Sequence, residues 1–444
     1  MMNKLDLKTA AKIIGILFSI GICSVILGAI FLLAAFYLPN EKITKNAVTC
    51  LSSFNKEAEY YVSMPGYSSS VFDNVTDAVY IAQAMVGIDQ DGILENTFGG
   101  YNYYSTADES KSMLQKLSDY YAEAHQPYIE KESTHVRFWN GYLVWLKPAL
   151  CLFTYGTLRM INMISQGIIL FLLLFLMHEK KLKEYEMPFL LSYLLFNPVS
   201  VAMNLFFSGF FYCGLIPCIV VLLFDDYLKK GFRYIFFFEI SGIVVAYFNM
   251  NSFQLITWGF PLVFVFLLSK PKGIGMAIRM MTMSFLSWLC GYAGMIISKW
   301  IIAGIFTKVD VSETVGNSLK TRLSDTTPME GFERIGRLDG LKNNLNTMLQ
   351  NKVWLCVEVL FIIVIIVLII RKGFQFGNVT KMWIVLLTAT IIITFSRYVL
   401  LLNHSFIHCN YVFRNLAIPV FVLNCGLMSA LQVSRSECVK EDKY

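Results

Sequence analysis

Val71-Phe72-Asp73-Asn74-Val75-Thr76-Asp77 lies inside a polar, tyrosine-rich segment, residues 39–146, of a chain that is otherwise almost all apolar. Apolar residues recur at 71, 75, 79, 82 and 86, which predicts an amphipathic helix over Val71–Met85. Asp73 and Asp77 then stand at i and i+4, on one helical face. A second helix is expected over Ser110–Ala124. Asp108 and Glu109 suit its positive start, and Leu114, Leu117 and Tyr121 form its apolar stripe. Two such helices are expected to lie along a membrane surface. Between them, Phe98-Gly99-Gly100-Tyr101-Asn102-Tyr103-Tyr104 reads as a flexible aromatic loop. A large polar segment carrying acids suits chemistry at a membrane surface. A pore would place its polar groups along its spans.

The flanking composition demands the membrane. The 444 residues are 56% hydrophobic and only 15% charged, against about 25% charged in soluble domains. Crossing a bilayer takes roughly 20 apolar residues. The sequence therefore predicts an all-α polytopic membrane protein with about ten spans, at 13–38, 150–177, 187–204, 206–225, 232–249, 252–269, 276–305, 353–371, 382–402 and 413–432. Its divisions are residues 1–38 (start and first span), 39–146 (external loop), 147–305 (bundle), 306–352 (second external loop), 353–432 (bundle) and 433–444 (tail).

Lys and Arg gather in cytoplasmic loops. They cluster at Lys4, Lys8 and Lys12, at Lys180, Lys181 and Lys183, at Lys229, Lys230 and Arg233, and at Lys270, Lys272 and Arg279. Further clusters are Arg371, Lys372 and Lys381, and Arg435, Lys440 and Lys443. Ten spans put all of these on one side, with both termini cytoplasmic in a cell membrane. The net charge of +6 follows largely from those clusters, which also meet anionic lipid. No nucleic-acid partner is needed. The first span has too long an apolar core for a signal peptide and reads as an uncleaved anchor. Among ten scattered cysteines, Cys50 and Cys409 fall near the external side, where a bridge is one option and unpaired apolar thiols the other. There is no P-loop, no GxGxxG and no Cys-x-x-Cys.

Ten of the 23 tyrosines lie in 60–128. They suit stacking on sugar rings, or anchoring at the interface. Charges within spans cost about 2.5–3.5 kcal/mol on insertion scales and are usually paired or functional. Arg159, Glu239, Lys299 and Arg397 are of this kind, unless the basic ones snorkel to the interface. Asn249-Met250-Asn251-Ser252-Phe253-Gln254 marks a turn or lines a cavity. The densest polar run is Asn403-His404-Ser405-Phe406-Ile407-His408-Cys409-Asn410-Tyr411-Val412-Phe413-Arg414. A helix there would put His404 and His408 on one face, with Arg414 a turn and a half further on. Arg grips phosphate through a rigid fork. His404 and His408 would hold a divalent metal only with a third ligand such as Asp73. Otherwise no cofactor is expected.

The order of elements resembles the GT-C superfamily of membrane glycosyltransferases: a span, a long external loop with an acid and surface-lying helices, then many spans. That family draws sugar from a polyprenyl-phosphate carrier. The resemblance covers most of the chain as layout and is specific only at the first-loop aspartate, here Asp73 or Asp77. Family motifs often pair Asp with Glu; this chain has Asp73-Asn74. The stretches Arg137–Tyr142, Ser298–Trp300 and His404–Arg414 also resemble uncharacterised bacterial membrane proteins. The resemblance implies a polyprenyl-phosphate-linked sugar donor and a glycan or lipid acceptor. It implies Asp73 or Asp77 as general base, and phosphate ligands from Arg137, Lys299, Arg397, His404, His408 and Arg414. A polysaccharide polymerase or ligase is the alternative, suited by Lys320, Arg322, Arg334 and Arg337 in the second loop. A non-enzymatic flippase or transporter is a further one.

Overall fold

The computed structural model describes residues 7–105, 115–116, 119, 129–133, 135–249, 252–326, 334–373 and 377–441. Seven of its helices are long and apolar enough to cross a membrane: Leu7–Phe36, Tyr155–Glu179, Leu205–Leu228, Ile274–Phe306, Lys352–Arg371, Val379–Leu400 and Cys409–Gln432. The protein is thus an all-α membrane protein with few strands.

Helix α1 (Leu7–Phe36) leads into two short helices, α2 (Asn40–Ala47) and α3 (Cys50–Glu57). Strands β1 (Tyr60–Val62) and β2 (Val71–Asp73) pair antiparallel, with Tyr60 opposite Asp73. Helix α4 (Asn74–Ala84) and α5 (Ile93–Phe98) follow. Strand β3 (Tyr101–Ser105) then pairs antiparallel with β4 (Ile129–Ser133).

The helix expected over Val71–Met85 therefore begins three residues late, after a strand. It does not lie on a surface. Nine of its residues, Asp77 among them, are buried. The loop expected at Phe98–Tyr104 is instead a helix end, a glycine turn and a strand. Gly100 has φ +65, with the backbone of His135 and Val136 against its α-carbon, so no side chain fits there. The helix expected over Ser110–Ala124 falls outside the described residues, apart from Gln115, Lys116 and Asp119. Among the described tyrosines of this segment, Tyr80 stacks on Tyr142 with ring centroids 3.6 Å apart and Tyr67 is buried, while Tyr60 and Tyr61 are exposed.

The bundle continues with α6 (Leu143–Leu152), α7 (Tyr155–Glu179), α8 (Glu186–Leu194), α9 (Pro198–Met203) and α10 (Leu205–Leu228). The stretch 187–204 is thus two short helices rather than one span. Asn197 breaks it: its backbone is left-handed (φ 56), its side chain accepts from Ser200 N, and Pro198 starts the next helix. Next come α11 (Arg233–Phe248), α12 (Ile256–Ser269) and α13 (Ile274–Phe306). At 1.5 Å per residue α12 is about 21 Å long and α13 about 50 Å. Against roughly 30 Å of hydrocarbon, the first is short and the second overshoots. Helices α11 and α13 touch backbone to backbone, since a Cβ on Gly242 would lie 2.0 Å from the Trp288 carbonyl oxygen. Beyond them are α14 (Val311–Leu323), α15 (Asp339–Leu349), α16 (Lys352–Arg371), α17 (Asn378–Leu400), α18 (Leu402–Ile407), α19 (Cys409–Val412) and α20 (Ala417–Glu441). The run 403–414 is not one helix but α18, α19 and a 3-10 turn, Phe413–Leu416. Cys50 and Cys409 are both free.

Candidate functional site

Asp73 and Asp77 are capping groups, and neither is solvent-accessible: they are 2% and 0% exposed. Asp73 caps α4, accepting from Thr76 N at 3.0 Å and Thr76 Oγ1 at 2.6 Å. Asn204 precedes α10 and would normally cap it. Its amide instead clasps the Asp73 backbone, accepting from Asp73 N at 3.0 Å and donating to Asp73 O at 3.2 Å. Asp77 fills the vacancy, accepting from Leu205 N and Phe206 N at 3.0 Å each and from Tyr155 Oη at 2.7 Å. Negative charge suits both helix starts. Burial pushes the Asp73 carboxyl up to about 6, against the pull of its Thr76 bonds. Burial also raises Asp77, with Arg159 opposing. At the other end of α4, Lys147 Nζ donates 2.8 Å bonds to Ala84 O and Val86 O.

Three of the candidate cations are committed to structure. Arg159 bonds both Glu57 carboxylate oxygens, at 2.7 and 2.9 Å, and Asn74 Oδ1 at 2.8 Å. Lys299 Nζ donates to Phe98 O at 2.5 Å. Arg414, fully buried, donates Nε to Phe196 O, Nη1 to Asn410 O and Nη2 to Ser69 O. The loop expectation of a phosphate grip at Arg414 meets a guanidinium whose three nitrogens hold backbone carbonyls. Glu239 is buried where Gly291 of α13 meets its backbone.

Other candidates converge. Arg137, Arg322, His404 and His408 line one open polar cavity of about 600 Å³. Phe138 stands beside both guanidiniums, its ring centroid 4.8 Å from the Arg137 Cζ and 5.8 Å from that of Arg322. Trp300 Nε1 holds the Arg137 carbonyl at 3.1 Å. Asn344 of α15 donates to Ser405 O at 2.8 Å and anchors α18 behind the cavity. The His404 and His408 rings lie 4.8 Å apart, and Tyr411 stacks on His408 at 5.0 Å. Tyr411 is also within electrostatic reach of Asp73, Arg322 and Arg397.

The cavity lining carries two arginines, Arg137 and Arg322, and one carboxylate, Glu313. Arg322 and Arg397 have no carboxylate partner among the described residues. Arg397, 7% exposed, donates Nη2 to Ser252 O, while its Nε and Nη1 find no acceptor among the described residues. Burial, then the neighbouring Arg322, lowers Arg137 to about 10, which leaves it charged at neutral pH. Burial and the arginines hold His408 down to about 4 and His135 to about 3, so both are neutral donors or acceptors there. Two guanidinium forks at one open cavity suit an anion.

The structure thus gathers Arg137, His404 and His408, with Arg397 close by, and leaves Lys299, Arg414, Asp73 and Asp77 out of the lining. Glu313 is the carboxylate that does line it. Arg322 and Glu313 stand one on each end of a helical face, at residues 313, 314, 317, 318, 321 and 322; that spacing was a legible signal. No group of three His, Cys, Asp or Glu able to hold a metal occurs among the described residues, and Asp73 does not join His404 and His408. No family model, no curated protein and no solved structure matches this chain.

Proposed function

We propose that the chain is an integral membrane glycosyltransferase. It would take a sugar from a polyprenyl-phosphate carrier and pass it to a glycan or lipid acceptor on the outer face of the cell membrane. Membership of the GT-C superfamily, a ten-span topology and cytoplasmic termini belong to the same reading. The single observation that carries it is the open cavity walled by Arg137, Arg322, His404 and His408. A phosphodiester leaving group gathers negative charge as its bond to sugar breaks. Fixed cations at that point lower the barrier by stabilising that charge.

A general base must face the acceptor hydroxyl. Asp73, raised to about 6, has suitable basicity but is buried outside the lining, bonded to Thr76. Glu313 faces the cavity. Each is a candidate, and Asp77 is the least suited because both its oxygens cap α10. The test is sugar transfer from a polyprenyl phosphohexose by purified protein. Arg322→Gln and Arg137→Gln should each cut turnover about 10²-fold, the scale of one lost transition-state donor. Wild-type protein that transfers no sugar, or variants with full turnover, would sink the proposal.

One observation favours the polysaccharide ligase or polymerase reading: the cavity takes Arg322 from the second polar segment rather than its acids from the first. The product decides, since a ligase transfers a whole oligosaccharide where a glycosyltransferase adds one residue.

A further inference from the structure

The cavity is not uniformly charged. Helix α14 forms one wall, and its cavity face changes character along its length. Arg322 stands at the C-terminal end. Thr314, Asn317, Ser318 and Thr321 follow the i, i+3, i+4, i+7 stripe, and Glu313 closes the N-terminal end. A stripe that packs on a core is apolar; this one is all neutral hydrogen-bonding side chains. Thr314 and Thr321 donate their hydroxyl protons to Asp310 O and Asn317 O, which leaves oxygen lone pairs outward. Among the described residues the side chains of Asn317 and Ser318 make no hydrogen bond. From residue 314 to 321 the stripe runs about 10 Å, far more than a phosphate group needs. Opposite it stand Asn403 and Ile407.

We propose that this face of α14 binds the hydroxyl-rich glycosyl part of the ligand whose phosphate lies at Arg322 and Arg137. Asn317 and Ser318 offer a donor and acceptors to ring hydroxyls, and the Thr oxygens accept. Ligand specificity for a sugar over a bare lipid phosphate therefore resides in α14. This rests on the reading of the cavity as a lipid-phosphate-sugar site.

The experiment compares two probes of equal charge and chain length: a short prenyl phosphohexose and a short prenyl ethyl phosphodiester. Binding to purified protein in nanodiscs should favour the phosphohexose by about tenfold, the worth of one or two net hydrogen bonds. The double variant Asn317→Ala, Ser318→Ala should lose that preference and keep its affinity for the ethyl diester. Its melting temperature should hold, because alanine suits a helix surface. Arg322→Gln should weaken both probes alike. Equal affinity of the wild type for the two probes, binding of neither, or a double variant that keeps its full preference would overturn the proposal. A protein that prefers the phosphohexose yet transfers no sugar would refute glycosyl transfer and leave this inference standing.

Discussion

Asp73 and Asp77 stand four positions apart, and that interval lets one short helix serve two helix starts. Asp73 caps its own helix, while Asp77, one turn on, reaches the start of α10. The two respond differently to the same change. Asp73→Asn keeps an oxygen for Thr76 N, and Asn is as good a cap as Asp. Asp77→Asn puts an NH2 group among three donors and leaves at least one buried donor unmatched. That costs about 1–3 kcal/mol. Thermal melts of both variants should show a loss for Asp77→Asn well above that for Asp73→Asn. Equal melting temperatures would overturn the capping roles. Sugar transfer measured on the Asp73→Asn protein, which folds, then tests Asp73 as the base: unchanged turnover assigns it to structure alone.

Elements carry the pH response. The α18–α19 corner holds His408 against Tyr411 and near Arg322 and Arg397. Its ordinary value is 6.5, and the fold lowers it to about 4. Above pH 6.5 it is neutral in both states. As pH falls below that, the unfolded chain gains the proton first, so stability drains away until about pH 4. Asp73 acts in the opposite sense: raised from 3.8 to about 6, its contribution is whole below 3.8 and lost as pH rises through about 6. The two partly cancel in the wild type. Subtracting the melting curve of His408→Gln from that of wild type should isolate a loss between pH 6.5 and 4. An anion held in the cavity favours protonated His408 and should shrink that loss. A difference curve flat across this range would remove His408 from the cationic cluster.

At the scale of the whole molecule, the proposed topology places α14 and the segment around β1 on one side and the loops before α8 and α13 on the other. Exposed positions suited to single cysteines are Met64 and Leu319 for the first side, Lys183 and Lys272 for the second. In a background with the other reactive cysteines replaced, an impermeant thiol reagent outside cells should label the first pair and spare the second. Labelling of Leu319 only after permeabilisation would invert the model and put the cavity on the cytoplasmic side.

The membrane character was legible in the chain because long apolar helices announce themselves by composition alone. Helices α1, α7, α13, α16, α17 and α20 lie where hydropathy expects them. Short pieces did not announce themselves. Strands of three to five residues carry too few side chains to show a period, and the break at Asn197 lies inside an apolar run. The candidate cations were also visible, since charges in apolar surroundings stand out. Which of them stand at the cavity and which brace the fold depends on where their partners lie. Phe196 and Ser69 take the Arg414 guanidinium from 218 and 345 residues away. Leu205 and Phe206 occupy Asp77 from 128 and 129 residues away. Arg137 and Arg322 reach one cavity from opposite ends of the chain's long middle. A buried polar group must find a partner wherever folding puts one. Residue type and local spacing therefore determined the membrane class and the pool of charged candidates, and only the tertiary contacts decided which charges brace the fold and which stand at the open cavity.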